Sequence, residues 1–231
     1  MSLFGEGLLQ ALRLLVTGDP EVWHITWLSL QISATATLLS LLIGVPLGAL
    51  LALSRFRGRG LAVSLVNTGM GLPPVVVGLF VTIVLWRNGA LGFLELLYTP
   101  TAMIVGQLVI AAPIVTGLTL AAVQQVPEAF RLQMLGLGAS RLQMTWVLLK
   151  EARLPMLAAV MAGFGGVISE VGASMMLGGN IKGSTRVLTT ATVLETGKGN
   201  FDLAIALSVI LLVITFLVNW ALSWIQQRRR L

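Results

Sequence analysis

The chain contains no cysteine, a single histidine and few charged residues, which make up 10% of its 231 positions. Without cysteine it can form no disulfide, thiolate metal site or cysteine nucleophile. We interpret the single histidine, His24, as a surface residue, because no zinc-type ligand spacing accompanies it. A soluble domain carries about 25% charged residues. The low charge and the 56% hydrophobic content therefore indicate a membrane protein.

Motifs that would carry catalysis are also missing. We find no facing pair of carboxylates and no nucleophile accompanied by a base. The segment 178–185, GGNIKGST, differs from a nucleotide-binding P-loop, because its lysine precedes the last glycine instead of following it. We therefore predict that the chain is not an enzyme and that it has no catalytic residues, no metal and no cofactor of its own.

Five apolar runs along the chain are each long enough to cross a bilayer, since about 20 apolar residues suffice for a helix. The runs are Ile25–Leu53, Leu61–Trp86, Leu96–Val126, Leu154–Ile181 and Leu203–Gln227, the fourth interrupted only by Glu170. The alternating segments of a membrane β-barrel are absent, so helices are favoured. We predict one all-α, polytopic membrane domain over residues 1–231 with five transmembrane helices.

The basic residues are divided unequally between the two sides of such a topology. If the connection 54–60, the segment 127–155 and the C-terminal tail share one side, that side holds ten of the fifteen lysines and arginines. Most acidic residues then lie opposite. The positive-inside rule places the basic side in the cytoplasm, with the N-terminus outside and the C-terminus inside. The sequence pI of about 11.1 is then a sign of topology rather than of nucleic-acid binding.

The N-terminal residues 1–18 are predicted to form an interfacial helix. Between Leu3 and Val16 the apolar residues share one helical face, and the segment is too short to cross a bilayer. No basic segment precedes an apolar core, so we expect no cleaved signal peptide. Asp19 and Pro20 supply an N-cap and a first-turn proline for the next helix.

Helix-breaking and polar residues interrupt the apolar runs at several places. Pro73 and Pro74 lie inside the second run, where they bend or break the helix. Such a break favours a pathway-lining role over a purely structural kink, because irregular backbone at membrane depth faces protein or a cavity. The third run carries Gln107 and Thr116, which are polar enough to face other helices or a pore. Glu170 lies about fifteen residues into the fourth run. We predict a continuous helix there, which places Glu170 about 22 Å along it and past the midplane towards the outside. We keep two roles open for Glu170, gating and helix assembly.

An outer loop is predicted over residues 178–202. Its cationic and hydroxyl side chains could present donors to an entering anion; they are Asn180, Lys182, Ser184, Thr185 and Arg186. The alternative interpretation is that they are solvated charges near lipid headgroups.

The longest internal polar interruption runs from Pro127 to Pro155. It carries Arg131, Arg141, Lys150 and Arg153 on what reads as two short helices joined at residues 136–140. A compact basic segment between two membrane helices is suited to dock a soluble partner. We call this segment the coupling loop.

Within the coupling loop, the sequence LGLGASR at 135–141, followed by Leu154 and Pro155, resembles the cytoplasmic EAA loop of the permease subunits of bacterial ABC importers. In that loop a glutamate-alanine-alanine triplet lies six residues before a glycine. If Gly138 is that glycine, Leu132, Gln133 and Met134 occupy the place of the triplet, so the triplet itself is lost. Glu128 and Ala129 look like the triplet but have the wrong spacing, and the Leu-Pro pair comes late.

Two further stretches narrow the resemblance. The segments 72–78, LPPVVVG, and 165–173, GGVISEVGA, followed by Gly179, Asn180 and Thr185, are similar to permeases for molybdate, tungstate and sulfate. The segment 185–196, TRVLTTATVLET, is most similar to the tungstate-type branch. The similarity covers roughly residues 25 to 225.

The resemblance implies a type I ABC importer permease in the cell inner membrane that moves a tetrahedral oxyanion, with tungstate first and molybdate or sulfate as alternatives. It also implies a second copy of the chain, two ATPase subunits that hold ATP and Mg²⁺, and an extracytoplasmic binding protein. The candidate coupling residues are Leu132, Gln133, Met134, Gly136, Gly138, Ala139, Ser140 and Arg141. The candidate pathway or gate residues are Pro73, Pro74, Gly78, Ser169, Glu170, Gly172, Asn180, Lys182, Thr185 and Arg186. A stand-alone secondary carrier or channel is the rival class, but we see no internal repeats; a membrane scaffold would leave the Pro73–Pro74 break without a purpose.

Overall fold

A computed structural model describes residues 3–228, and over that range the chain is helical with no β-strand. The all-α prediction is thus confirmed. A single 3-10 turn, Gly92–Leu94, lies between the fourth and fifth α-helices. The α-helices are α1 (Leu3–Thr17), α2 (Pro20–Leu53), α3 (Arg59–Met70), α4 (Pro74–Leu85), α5 (Pro100–Gln124), α6 (Glu128–Gly136), α7 (Arg141–Glu151), α8 (Arg153–Ile168), α9 (Gly172–Gly178), α10 (Leu188–Gly197) and α11 (Phe201–Arg228).

Three of these helices, α2, α5 and α11, are long and apolar enough to cross a membrane by themselves. Two further pairs reach that length only together, α3 with α4 and α8 with α9, and they bend by 102° and 58° respectively. The described chain therefore has three candidate spans, or up to five if each bent pair is one span.

The sequence predicted a bend in the first pair and a continuous helix in the second. In the first pair, Pro73 lies in extended backbone and Pro74 begins the new helix, because proline lacks the amide hydrogen that would continue α3. In the second pair, α8 ends at Ile168 and Glu170 lies in the break. The expectation that Glu170 extends a straight helix is therefore wrong.

Helix α5 is the central helix, and α2 runs parallel to it. Leu28 near the start of α2 shares an apolar cluster with Met103 near the start of α5. Further along, a Cβ added to Gly48 would lie 2.7 Å from Cβ of Thr119. The start of α2 thus contacts the start of α5, and a later part of α2 contacts a later part of α5. The two helices are therefore parallel and closely packed.

The two bent pairs follow α5 in the opposite direction. In the first pair, Gly69 near the end of α3 lies against Pro113, and Leu85 at the end of α4 shares a cluster with Met103. The pair α8–α9 also runs in the direction opposite to α5. Gly163 of α8 lies against Val115, whereas Leu177 of α9 lies against Gly106, nearer the start of α5. Each bent pair thus travels along α5 from its second half towards its N-terminal end.

The polar residues predicted in the third run are buried between helices. Gln107 and Thr116 are each 3% exposed. The Gln107 amide donates to the Ser174 hydroxyl of α9 at 3.3 Å, and the Thr116 hydroxyl donates to the Ala112 carbonyl at 2.7 Å. Gln107 therefore faces α9, whereas the Thr116 hydroxyl is satisfied within its own helix.

Helix α1 packs lengthwise on α11. Gly7 meets Ile205 of α11 so closely that an added Cβ would lie 2.4 Å from its Cγ2, whereas Leu8 and Leu12 point outwards. The chain then turns into α2, where the Asp19 carboxylate accepts hydrogen bonds from the Glu21 and Val22 amides, both at 3.0 Å. The predicted N-cap is confirmed. Helix α10, which lies within the predicted outer loop, was not anticipated from the sequence.

Candidate functional site

The coupling loop forms the two short helices that the sequence predicts. Helix α6 ends at Gly136, and residues 137–140 lead into α7. Gly138 has φ +76°, a conformation that favours glycine. Ser140 caps α7 reciprocally: its hydroxyl accepts from the Gln143 amide at 3.3 Å, and its own amide donates to the Gln143 side chain at 2.8 Å. The connection is therefore well defined.

An apolar cluster anchors the coupling loop to the membrane helices. Leu148 of α7 is fully buried among Val123 and Val126 at the end of α5, with Leu53 at the end of α2 packed against them. Close-packed side chains transmit displacement. A force on α7 would therefore reach the ends of α2 and α5 directly.

The coupling loop also has an exposed apolar face that the sequence analysis missed. Leu142 and Trp146 are 81% and 71% exposed, and Leu137 in the connection is 74% exposed. The spacing of Leu142 and Trp146 by four residues places them on one face of α7. That spacing is the sequence signal that indicates this face, which the glycine motif and the basic residues do not.

The predicted coupling residues occupy the surface of α6 and of the connection. Met134 and Ala139 are half-buried, and the others are exposed, namely Leu132, Gln133, Gly136, Gly138, Ser140 and Arg141. These candidates therefore lie within one short stretch, from α6 to the first residue of α7, and most of their side chains are accessible.

The two helix breaks lie side by side. A Cβ added to Gly78 of α4 would lie 2.8 Å from Cα of Ala173, and one added to Gly172 of α9 would lie 2.6 Å from Cγ2 of Val75. These glycines allow α4 and α9 to pack closely. This packing brings the candidate residues of the two breaks into one region. They are Pro73, Pro74 and Gly78 from the first break and Ser169, Glu170 and Gly172 from the second.

Within the second break, Glu170 is half-buried and holds local structure. Its carboxylate accepts a hydrogen bond from the Ala173 amide of α9 at 2.8 Å, and its carbonyl accepts one from the Thr189 hydroxyl of α10 at 2.9 Å. A carboxylate at a helix N-terminus is stabilising. This geometry fits the assembly role, while the exposed Ser169 beside it marks the break as accessible.

In the outer loop, the two cations singled out from the sequence share one acidic partner. Lys182 Nζ lies 2.6 Å from Oε2 of Glu21, and Arg186 Nη1 lies 3.4 Å from Oε1 of the same carboxylate. The contact ties the start of α2 to the connection between α9 and α10. Because the Lys182 and Glu21 side chains are exposed, their ion pair contributes little to stability by itself.

The hydroxyl and amide candidates of the outer loop lie deeper than the cations. Thr185 is fully buried, and its hydroxyl donates to the Gly178 carbonyl and accepts from the Ile181 amide. Asn180 has φ +52° and donates to the Thr190 carbonyl at 3.4 Å. Among residues 3–228, Asn180 Oδ1 and Arg186 Nε are buried without a hydrogen-bond partner.

A second polar cluster stabilises the end of α10. The Glu195 carboxylate accepts from the Asn200 amide at 2.8 Å and from Lys198 Nζ at 2.7 Å. The hydrogen bond from Asn200, and then the one from Lys198, hold the pKa of Glu195 below its ordinary value. They outweigh the opposing effect of burial.

The lowered pKa of Glu195 predicts an acid-sensitive outer loop. A carboxylate whose pKa is lower in the folded state contributes stability above its unfolded pKa and loses that stability as the pH falls through the folded pKa. We expect Glu195→Gln to lower the unfolding temperature at neutral pH by a few degrees and to reduce its further fall on acidification. Thermal unfolding across an acidic pH series tests this. The exposed Glu151→Gln is the control, and identical pH profiles for the Glu195 variant and the wild type would contradict the prediction.

No group of three or more potential metal ligands occurs among the described residues. Residues 44–231 match the family described as the binding-protein-dependent transport system inner membrane component. The chain belongs to this family.

The chain is also similar to individual permease proteins. The chain is 39% identical to the tungstate uptake system permease protein TupB of Peptoclostridium acidaminophilum, over 98% of this chain and 100% of that protein. It is 42% identical to a probable anion ABC transporter permease protein of Haloferax volcanii, over 84% and 86% of the two chains.

The fold is also similar to that of a solved transporter structure. A chain of the MetNI methionine ABC transporter in an inward-facing conformation superposes with a TM-score of 0.74 at 21% identity, covering 91% of this chain and 98% of that one. Such low identity establishes the fold alone. Membership of the permease family confirms that the chain is a multi-pass membrane transport subunit rather than an enzyme.

Proposed function

We propose that the chain is the permease subunit of an ABC importer that carries tungstate into the cell. The observation that supports this most is the end-to-end similarity to a tungstate uptake permease. The resemblance of residues 185–196 to the tungstate-type branch points the same way. The anion relative from Haloferax volcanii supports the broader substrate class.

The topology that fits this function has five spans, with the N-terminus outside and the C-terminus inside. The order of contacts along α5 supports counting each bent pair as one span, because both pairs follow α5 over most of its length. The excess of basic residues in the connection 54–60, the coupling loop and the tail supports the orientation. Helix α1 then lies at the outer interface against α11.

The coupling loop is the proposed docking site of an ATPase subunit. Exposed Leu137, Leu142 and Trp146 form an apolar face in a region that this topology places in water. Such patches mark protein interaction sites. ATP and Mg²⁺ would be held by that ATPase, and its movement would pass through the cluster around Leu148 to α2 and α5.

A second copy of the chain would complete the pathway. The two joined helix breaks lie at the surface of one chain, with Ser169 exposed and Val75 55% exposed. A translocation pathway bounded by these residues therefore needs a second chain to enclose it. At the outer face, Lys182, whose side chain is 69% exposed, is the proposed first cationic contact for an anion delivered by a soluble binding protein.

Uptake into vesicles tests the proposed function. The vesicles would hold this chain with the ATPase and binding protein of the same transporter, and tungstate, molybdate and sulfate would compete for uptake. We expect ATP-dependent uptake with tungstate preferred. Preference for molybdate or sulfate would change the assigned oxyanion but keep the proposed mechanism. Uptake independent of ATP would favour a secondary carrier. The absence of any oxyanion uptake would refute the proposal.

A further inference from the structure

A cavity of about 760 Å³ lies between the end of α2 and the coupling loop. Its wall includes Arg55 from the connection after α2, Arg131 from α6 and Arg141 from α7, together with one acid, Glu128. None of these four side chains takes part in an ion pair within residues 3–228. The cavity therefore carries a net charge of about +2 that no described side chain neutralises.

The rest of the wall is both apolar and hydrogen-bonding. Leu53, Leu132, Leu135 and Met144 supply the apolar part, and Ser54 and Thr145 supply hydroxyls. A tetrahedral oxyanion is far smaller than this space and makes no use of apolar walls. The combination instead fits a larger ligand that has a charged phosphate next to hydrocarbon.

The position of the cavity supports the same class of ligand. Its membrane side is formed by Leu53, the last residue of α2, and by Ser54 and Arg55, which follow it. A helix that crosses a bilayer ends near the headgroups. Clusters of basic residues immediately cytoplasmic of a membrane helix are suited to anionic lipid headgroups.

The cavity lies beside the proposed ATPase-docking face, and two of the candidate coupling residues, Leu132 and Arg141, line it. The most exposed apolar side chains of the coupling loop, Leu137, Leu142 and Trp146, do not line the cavity. One surface of the loop can therefore meet a protein while another meets lipid.

We propose that this cavity binds the headgroup of an anionic phospholipid of the inner leaflet, with Arg55, Arg131 and Arg141 around the phosphate and Leu132, Leu135 and Met144 against the glycerol and acyl carbons. The inference rests on the cytoplasmic placement of the coupling loop proposed above. It does not depend on the transported substrate. A lipid bound here would bridge the end of α2 and the helices α6 and α7.

The test uses the full chain in nanodiscs that contain equal amounts of phosphatidylglycerol and phosphatidylcholine, with retained lipid measured by native mass spectrometry. We expect wild type to retain phosphatidylglycerol and the double variant Arg55→Gln/Arg131→Gln to retain it roughly ten- to thirtyfold less. Arg57→Gln is the matched control, because Arg57 belongs to the same connection but does not line the cavity. Thermal unfolding checks the fold, and Arg55→Gln alone replaces the double variant if that variant unfolds.

Several outcomes would overturn the inference. Wild type that shows no preference for phosphatidylglycerol, or an equal preference in the double variant, would exclude a lipid site at these arginines. Displacement of the lipid by inorganic phosphate or tungstate would identify a free anion as the ligand. Displacement by the transporter's ATPase subunit would make the cavity part of the protein interface. Because this readout needs neither transport nor ATP, its failure is distinguishable from failure of the proposed function.

Discussion

Replacing Trp146 by aspartate is expected to abolish ATP-driven uptake while the chain remains folded. The indole ring is 71% exposed on the same face of α7 as Leu142. It packs little against its own chain, so its loss costs little stability. An aromatic anchor at a protein interface is commonly worth about 2–4 kcal/mol, which is roughly a 30- to 1,000-fold change in affinity. A buried aspartate at that interface adds a desolvation penalty.

The measurement is copurification of the ATPase subunit together with ATP-driven oxyanion uptake in vesicles. Trp146→Phe is the matched control, because it keeps an apolar ring at the same position, and we expect it to retain most of both activities. Leu142→Asp should reproduce the loss. Normal ATPase binding and uptake by Trp146→Asp would show that the exposed face of α7 does not dock the ATPase.

Replacing Gly48 by alanine is expected to destabilise the chain by forcing α2 and α5 apart. The added Cβ would lie 2.6 Å from the Thr116 carbonyl oxygen and 3.0 Å from the Leu120 amide nitrogen. Both contacts are with backbone, so the whole of α5 would have to move away from α2. Overpacking of this kind costs about 1–3 kcal/mol, and we expect the unfolding temperature to fall by roughly 5–10 °C.

Gly165→Ala in α8 provides the control. Apart from its chain neighbours and the backbone of its own helix, no atom lies within 4 Å of a Cβ built at this position, and alanine favours the helix over glycine by up to about 1 kcal/mol. We expect Gly165→Ala to be neutral or slightly stabilising. Equal unfolding temperatures for the Gly48 and Gly165 variants would mean that the packing of α2 on α5 is looser than the structure describes.

Much of the architecture follows from local features of the sequence. Apolar runs predict helices in lipid because backbone groups there need partners within the segment. Asp19 caps α2, and Ser140 with Gln143 caps α7, because short polar side chains bond to the adjacent amides. The two helices of the coupling loop and the Pro73–Pro74 break depend on the same local chemistry, and each was predicted close to its observed position.

Predictions were less accurate for residues whose contacts lie far away in the sequence. Thr185 and Glu170 look like exposed polar residues of a pathway, but their hydroxyl and carboxylate are held by Gly178 and Ala173. Lys182 and Arg186 look like free cations, yet the carboxylate of Glu21 lies beside both. Arg186 and Glu21 are 165 positions apart in the chain, and no rule of local spacing reveals a partner at that separation.

The sequence by itself determined that this protein is a helical membrane protein with a basic loop between two membrane helices, because hydropathy, charge bias and turn residues act locally along the chain. Its resemblance to importer permeases rested on short motifs, which are also local. The tertiary structure decided that the two helix breaks meet at Gly78 and Gly172, that Trp146 is exposed and that three arginines surround one cavity. These features arise where helices distant in the chain pack together. Packing depends on the shape of both partners, and one segment of sequence specifies only one of them.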